Sequence, residues 1–269
     1  LGVNNPRTVD AEDKLHRLVD ERTEKSCEKN KVALPFIDTP EKVAEMAAQR
    51  YVELLKEKPN AILGGATGST PLLLYAELAR LNKAGEVSFA QAKSFNLDEY
   101  VGLDGNHDQS YRYFMDKNLF EHIDIDMANT RVPSGINTEI AAEYDKEIEA
   151  AGGVDMQLLG IGNNGHIGFN EPGTPFGSIT HVVELHESTR EANARFFESI
   201  DEVPTHAVTM GIKTVMNAKK VILIATGKAK APIVKEFIQG PVTEEVPASV
   251  LQLHPNVEIF LDHEAASLL

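Results

Sequence analysis

Three clusters in this chain hold side chains whose types and spacing could do chemistry. The richest is Leu159-Gly160-Ile161-Gly162-Asn163-Asn164-Gly165-His166-Ile167-Gly168-Phe169-Asn170-Glu171-Pro172-Gly173. A histidine that titrates near neutrality, with a carboxylate close enough in sequence to pair with it, can shuttle protons, and His166, Glu171 and Asn164 offer that combination. Gly160, Gly162 and Gly165 also match the spacing of a dinucleotide fingerprint, with Glu184 about 20 residues further on. That fingerprint must open a helix, and Gly168, Pro172 and Gly173 follow too closely for one to start. The segment therefore reads as a glycine-rich loop presenting polar groups, not as a nicotinamide site.

The second cluster is Ser94-Phe95-Asn96-Leu97-Asp98-Glu99-Tyr100-Val101-Gly102-Leu103, where an apolar strand runs into two adjacent acids. At the carboxyl end of a strand a carboxylate points into the crevice where open α/β sheets bind ligands and can serve as a base, or it simply caps a loop. The third is Leu63-Gly64-Gly65-Ala66-Thr67-Gly68-Ser69-Thr70-Pro71. Its glycines permit close backbone approach, Ser69 or Thr70 can cap the following helix, and free N–H groups there would face an anion. It is not a Walker A loop, because Ser69 stands where the lysine must be. A plain strand-to-helix turn would have the same look. Cations to oppose an anion are available at Arg195 and at Lys228 or Lys230, the latter two just after an apolar strand.

Positioning these clusters requires strands that end in loops on one side of a sheet. Strand-like runs fall near 32–35, 61–63, 92–97, 154–161, 219–226 and 257–261. Helical patterns fall at 41–57, from Pro71, and near 110–119, 138–151, 211–218 and 228–239. Alternation of this kind predicts βαβ units and a Rossmann-like doubly wound α/β fold, its mostly parallel sheet covered by helices on both faces. No composition break divides 31–269, so one domain is expected there. Residues 1–30 read as a polar extension, helical or disordered, with a Leu15, Leu18, Val19 stripe.

The 269 residues are 42% hydrophobic and 25% charged, with 26 Lys+Arg against 41 Asp+Glu for a formal charge of −15. No basic block survives to neutralise a run of phosphates, so nucleic acid is not expected as a partner. No long apolar run suggests a membrane span, and the single cysteine, Cys27, cannot form an internal disulfide, so a cytoplasmic setting is expected.

Taken together, LGGATGSTP, SFNLDEYVGL, the QSYRYFM segment at 109–115 and GIGNNGHIGFNEPG resemble the glucosamine-6-phosphate deaminases across essentially all of 31–269. The resemblance implies cofactor-free, metal-free conversion of glucosamine 6-phosphate and water to fructose 6-phosphate and ammonia in amino-sugar catabolism. It also implies roles. Asp98 would move a proton between C2 and C1, and His166 would open the pyranose ring, with Glu171 and Asn164 orienting it. The phosphate would rest on Thr67, Gly68, Ser69 and Thr70 with Arg195 and Lys230, the lysine that matches the family better than Lys228. Some members carry aspartate at the position of Asn164. Members activated by N-acetylglucosamine 6-phosphate carry basic residues after the NEP motif, whereas 174–183 here has no Lys or Arg, which implies a monomer or small homo-oligomer without that control. Other readings are a deaminase for a different amino-sugar phosphate such as galactosamine 6-phosphate, a 6-phosphogluconolactonase-like hydrolase, and a catalytically silent sugar-phosphate sensor.

Overall fold

The computed structural model describes residues 35–269, so the polar extension and nearly all of the strand expected at 32–35 lie outside the described residues. The first strand, β1, is Phe36–Asp38. Thr39 then caps α1 (Pro40–Glu57) by accepting the Lys42 N–H at 3.2 Å, with Pro40 in the first turn where its missing N–H costs nothing. Val43, Ala47, Tyr51 and Leu55 recur at helical spacing and turn inward. There follow β2 (Ile62–Gly65), α2 (Leu72–Lys83) and β3 (Lys93–Asn96).

Next come β4 (Asp98–Tyr100), α3 (Tyr111–Asn118), β5 (Thr130–Arg131), α4 (Glu143–Ala151) and β6 (Met156–Leu159). The chain continues through β7 (His181–Glu184), α5 (Glu187–Asn193), β8 (His206–Thr209) and α6 (Ile212–Met216). It closes with β9 (Lys220–Ala225), α7 (Ala231–Gln239) and β10 (Val257–Asp262).

Seven strands form one parallel sheet in the order β1-β10-β9-β6-β2-β3-β5, covered by helices on both faces as expected. From β2 the chain winds through β3 to β5, then returns to the other side of β2 through β6 and β9. The strand order thus reverses between β2 and β6, which is where open α/β sheets bind ligands. Loops after β9, β6, β2 and β3 are neighbours there, and they carry the cation, histidine, glycine-turn and acid clusters respectively.

One element goes beyond the expected sheet, and one expectation needs correction. A second sheet, antiparallel, in the order β4-β8-β7, was not foreseen. Its strands are three or four residues long and two of them begin with histidine, too short and too mixed to show a period. Neither Ser69 nor Thr70 caps α2. The helix starts from Pro71 with no side-chain cap, and the turn is held instead by the buried Tyr75 hydroxyl, which donates to the Ala66 carbonyl at 2.5 Å and accepts the Ala66 N–H at 3.1 Å.

Candidate active site

Asp98 and Glu99 follow β3 after one residue, and strand alternation turns their side chains to opposite faces. Glu99 accepts the backbone N–H groups of Tyr100, Tyr111 and Arg112 at 2.9, 2.8 and 3.0 Å, so it anchors the N-terminus of α3 to β4. Asp98 has no such partners. Burial, reinforced by the neighbouring Glu99 charge, pushes its carboxyl from the ordinary 3.8 up to about 8. Of the two acids, one is spent on structure and the other is left buried with a high proton affinity. Asp98 sits opposite Thr209 in the antiparallel pair, and a Cβ placed on Gly168 would lie 3.8 Å from its Oδ2. The loop after β6 therefore passes over the acid with its barest residue.

That loop contains no helix, in line with the reading from its glycines. It is pinned at its far end by Asn170, whose Nδ2 donates to the Ile167 and Met210 carbonyls at 2.8 Å each, and by Thr209 Oγ1, which accepts the Phe169 N–H at 3.1 Å. The imidazole of His166 lies flat against Gly162, where any Cβ would fall inside the ring's van der Waals envelope. His166 Nδ1 is 2.7 Å from Asn164 Oδ1 and 3.3 Å from Glu171 Oε2. Asn164 Nδ2 donates to the same Glu171 oxygen at 2.6 Å, which fixes the amide with its carbonyl toward the histidine. In neutral His166 the hydrogen then sits on Nδ1 and Nε2 keeps its lone pair. Burial works to raise the Glu171 carboxyl, but the hydrogen bond and charge of His166, with Thr189 and Asn164, outweigh it and hold the group at about 2.

Thr189 was not foreseen. It lies on α5, distant in sequence, and donates its hydroxyl to Glu171 Oε1 at 2.5 Å. No spacing signal marks it, because the contact exists only once α5 has packed on the loop. Tyr111, within the QSYRYFM segment, stacks on Phe169 with centroids 6.0 Å apart and places its hydroxyl beside those of Thr67 and Tyr100.

The remaining predicted residues fall on the same side of the sheet. Gly68 turns with φ at +95°, Ser69 is exposed, and Thr67, Gly68 and Thr70 are half-buried at the start of α2. Lys230 is half-buried and donates to the Ile161 carbonyl at 2.7 Å, at the root of the His166 loop. Burial, with the nearby Arg195 charge, lowers its ammonium below the ordinary 10.5. Arg195 is exposed, its guanidinium 4.7 Å from the Phe196 ring centroid. Lys228 is exposed, and its backbone N–H donates to Glu264 Oε2 at 3.3 Å. Among the described residues no three His, Cys, Asp or Glu side chains gather as a metal-holding group, and no helix is long and apolar enough to cross a membrane.

Residues 38–259 match the family of glucosamine-6-phosphate isomerases and 6-phosphogluconolactonases. The chain belongs to that family. Within it, the glucosamine-6-phosphate deaminase of Clostridium perfringens (strain 13 / Type A) is 52% identical over 232 residues, covering 85% of this chain and 96% of that one. The enzyme of the same name from Thermoanaerobacter pseudethanolicus is also 52% identical over 232 residues, with 85% and 92% covered. A solved monomeric glucosamine-6-phosphate deaminase superposes with a TM-score of 0.84 at 44% identity, over 87% of this chain and all of that one. The 6-phosphogluconolactonase of Trypanosoma brucei, with a TM-score of 0.71 at 21% identity and 87% and 98% covered, shares the fold. The family's two activities thus sit on one scaffold, and similarity at the level of sequence lies on the deaminase side.

Proposed function

We propose that this protein is a glucosamine-6-phosphate deaminase, converting glucosamine 6-phosphate and water to fructose 6-phosphate and ammonia. The observation that carries the reading is the pairing, at the switch point of the sheet, of one buried acid that holds its proton near neutrality with a histidine backed by a fully ionised carboxylate. Those are two proton-transfer devices of different strength, and the reaction has two proton-transfer stages on different atoms. Deaminases of 52% identity support the same assignment.

The amides of 67–70, at the positive end of α2, receive the phosphate with Lys230 and Arg195 closing on it. His166 Nε2 takes the anomeric hydroxyl proton and returns it to the ring oxygen, opening the pyranose while Glu171 balances the transient imidazolium. The substrate's C2 ammonium brings a positive charge to Asp98 and draws its carboxyl back to the ionised form. Asp98 then removes the C2 proton and delivers it to C1 while the aldehyde oxygen takes up the proton that the ammonium gives up, leaving a C1 hydroxyl and a C2 iminium. Water adds at C2, its proton passes to the nitrogen, the C–N bond breaks as the C2 carbonyl forms, and ammonia departs. The protein acts as a monomer or small homo-oligomer, a reading supported by the monomeric deaminase at 44% identity.

The direct test is release of ammonia and fructose 6-phosphate from glucosamine 6-phosphate without added cofactor, run beside galactosamine 6-phosphate. Asp98→Asn should abolish turnover and keep substrate affinity within a few-fold. Undiminished turnover by that variant would remove the base from its role.

A further inference from the structure

Glu171 is gripped from two sides. On the loop side its Oε2 accepts from Asn164 at 2.6 Å and lies 3.3 Å from His166 Nδ1; on the other its Oε1 accepts from Thr189 at 2.5 Å. Thr189 is buried, as is the carboxylate it reaches. We propose that Thr189 is a positioning residue for the ring-opening step: its hydroxyl, carried in on α5, fixes the Glu171 carboxylate so that Oε2 faces His166. The proposal rests on reading His166 and Glu171 as the proton-transfer pair.

The Glu171 side chain has three torsions to settle, and Asn164 restrains only one oxygen. Holding the second removes the rotation that would carry Oε2 off the imidazole. Helix α5 is seated independently of this contact. Arg190 donates to the Ile200 and Val203 carbonyls at 3.1 Å each, and the Asn193 side chain pairs with Tyr100. The helix runs straight into the turn Ala194–Phe196 that carries Arg195. Loss of the Thr189 hydroxyl alone should therefore leave Arg195 in place. The groups facing Glu171 are His166 and Asn164 from the loop and Thr189 from α5, and His166 is the one titratable group among them.

The test compares Thr189→Val, which keeps the branched shape, Thr189→Ala, which avoids a new methyl against the carboxylate, and Thr189→Ser, which keeps the hydroxyl. Valine and alanine should each lower kcat about tenfold, the lower end of what a charge-assisted hydrogen bond supplies, with KM and inorganic phosphate affinity within about twofold. Removing a donor from a carboxylate raises its pKa, so the acid limb of kcat/KM should move upward, and serine should restore both rate and limb. Wild-type kcat and acid limb in both hydroxyl-free variants would overturn the proposal. So would a fall in kcat matched by weaker phosphate binding without movement of the limb, since that would make Thr189 an anchor of α5 only. Glu171→Gln separates the two levels. If that variant turns over at the wild-type rate, the proton-transfer reading itself fails; if it is impaired while Thr189→Val behaves as wild type, only the role of Thr189 falls.

Discussion

Replacing Asp98 by asparagine removes a carboxyl that folding makes hard to ionise, and the effect should appear in stability as well as in turnover. In the unfolded chain this group releases its proton near about 3.9; in the folded protein it does so at about 8. Between those values the folded state binds more protons than the unfolded one, so stability falls as pH rises through the window. At 1.36 kcal/mol per unit, the group costs about 1–2 kcal/mol at pH 5 and about 4 kcal/mol at pH 7, a difference of about 2–3 kcal/mol. Asparagine carries no such slope, and any packing change it introduces is the same at both pH values. Urea unfolding of both proteins at pH 5 and pH 7 isolates the term. The midpoint of the wild type should drop relative to Asp98→Asn by roughly 1 M between the two, for a typical dependence of a few kcal/mol per molar urea. Parallel pH dependences would show that Asp98 is ionised in the free folded protein, and the argument from burial would be wrong.

Arg195→Ala and Lys230→Ala should each weaken inorganic phosphate and substrate binding by roughly 10- to 100-fold, the value of one charge-assisted contact, and Lys228→Ala should change little in the same titration. Gly162→Ala should push the His166 ring off its seat and lower kcat by about 100-fold, with phosphate affinity retained in the same preparation. Glu99→Gln replaces an oxygen that accepts a backbone N–H with an NH2 group, and should cost about 1–3 kcal/mol in urea unfolding at pH 7. Initial rates should stay hyperbolic in glucosamine 6-phosphate and be unmoved by N-acetylglucosamine 6-phosphate, because 174–183 offers no Lys or Arg to a second phosphate.

The parallel sheet was legible because each of its longer strands is an apolar run set off by turn residues from an amphipathic helix. Ile62–Gly65 before Pro71 and Lys220–Ala225 before α7 are the clearest cases. The loop from Gly160 to Gly173 was legible for a different reason, since its glycines and Pro172 leave no helix to be drawn there. What could not be read was anything decided by packing alone. Asp98 and Glu99 are adjacent acids of equal standing until α3 arrives with two free N–H groups, those of Tyr111 and Arg112, that Glu99 accepts. Thr189 is one of several exchangeable hydroxyls until α5 brings it onto Glu171. The antiparallel sheet was hidden because four-residue strands such as His206–Thr209 take their stability from partners, not from a pattern of their own.

Asn164 has a consequence for how many protons the ring-opening site can store. Its Nδ2 lies 2.6 Å from a carboxylate oxygen and its Oδ1 lies 2.7 Å from an imidazole nitrogen, so it reads the donor and acceptor sense of both neighbours and titrates with neither. An aspartate in the same place would put two carboxylates in hydrogen-bond contact, and such a pair holds one proton in common well above the ordinary carboxylate range. That shared proton would couple ring opening to mild acidity. With an amide the site has a single titrating partner for the histidine, and that partner, Glu171, held at about 2, stays ionised across the whole interval in which Asp98 gains or loses its own proton.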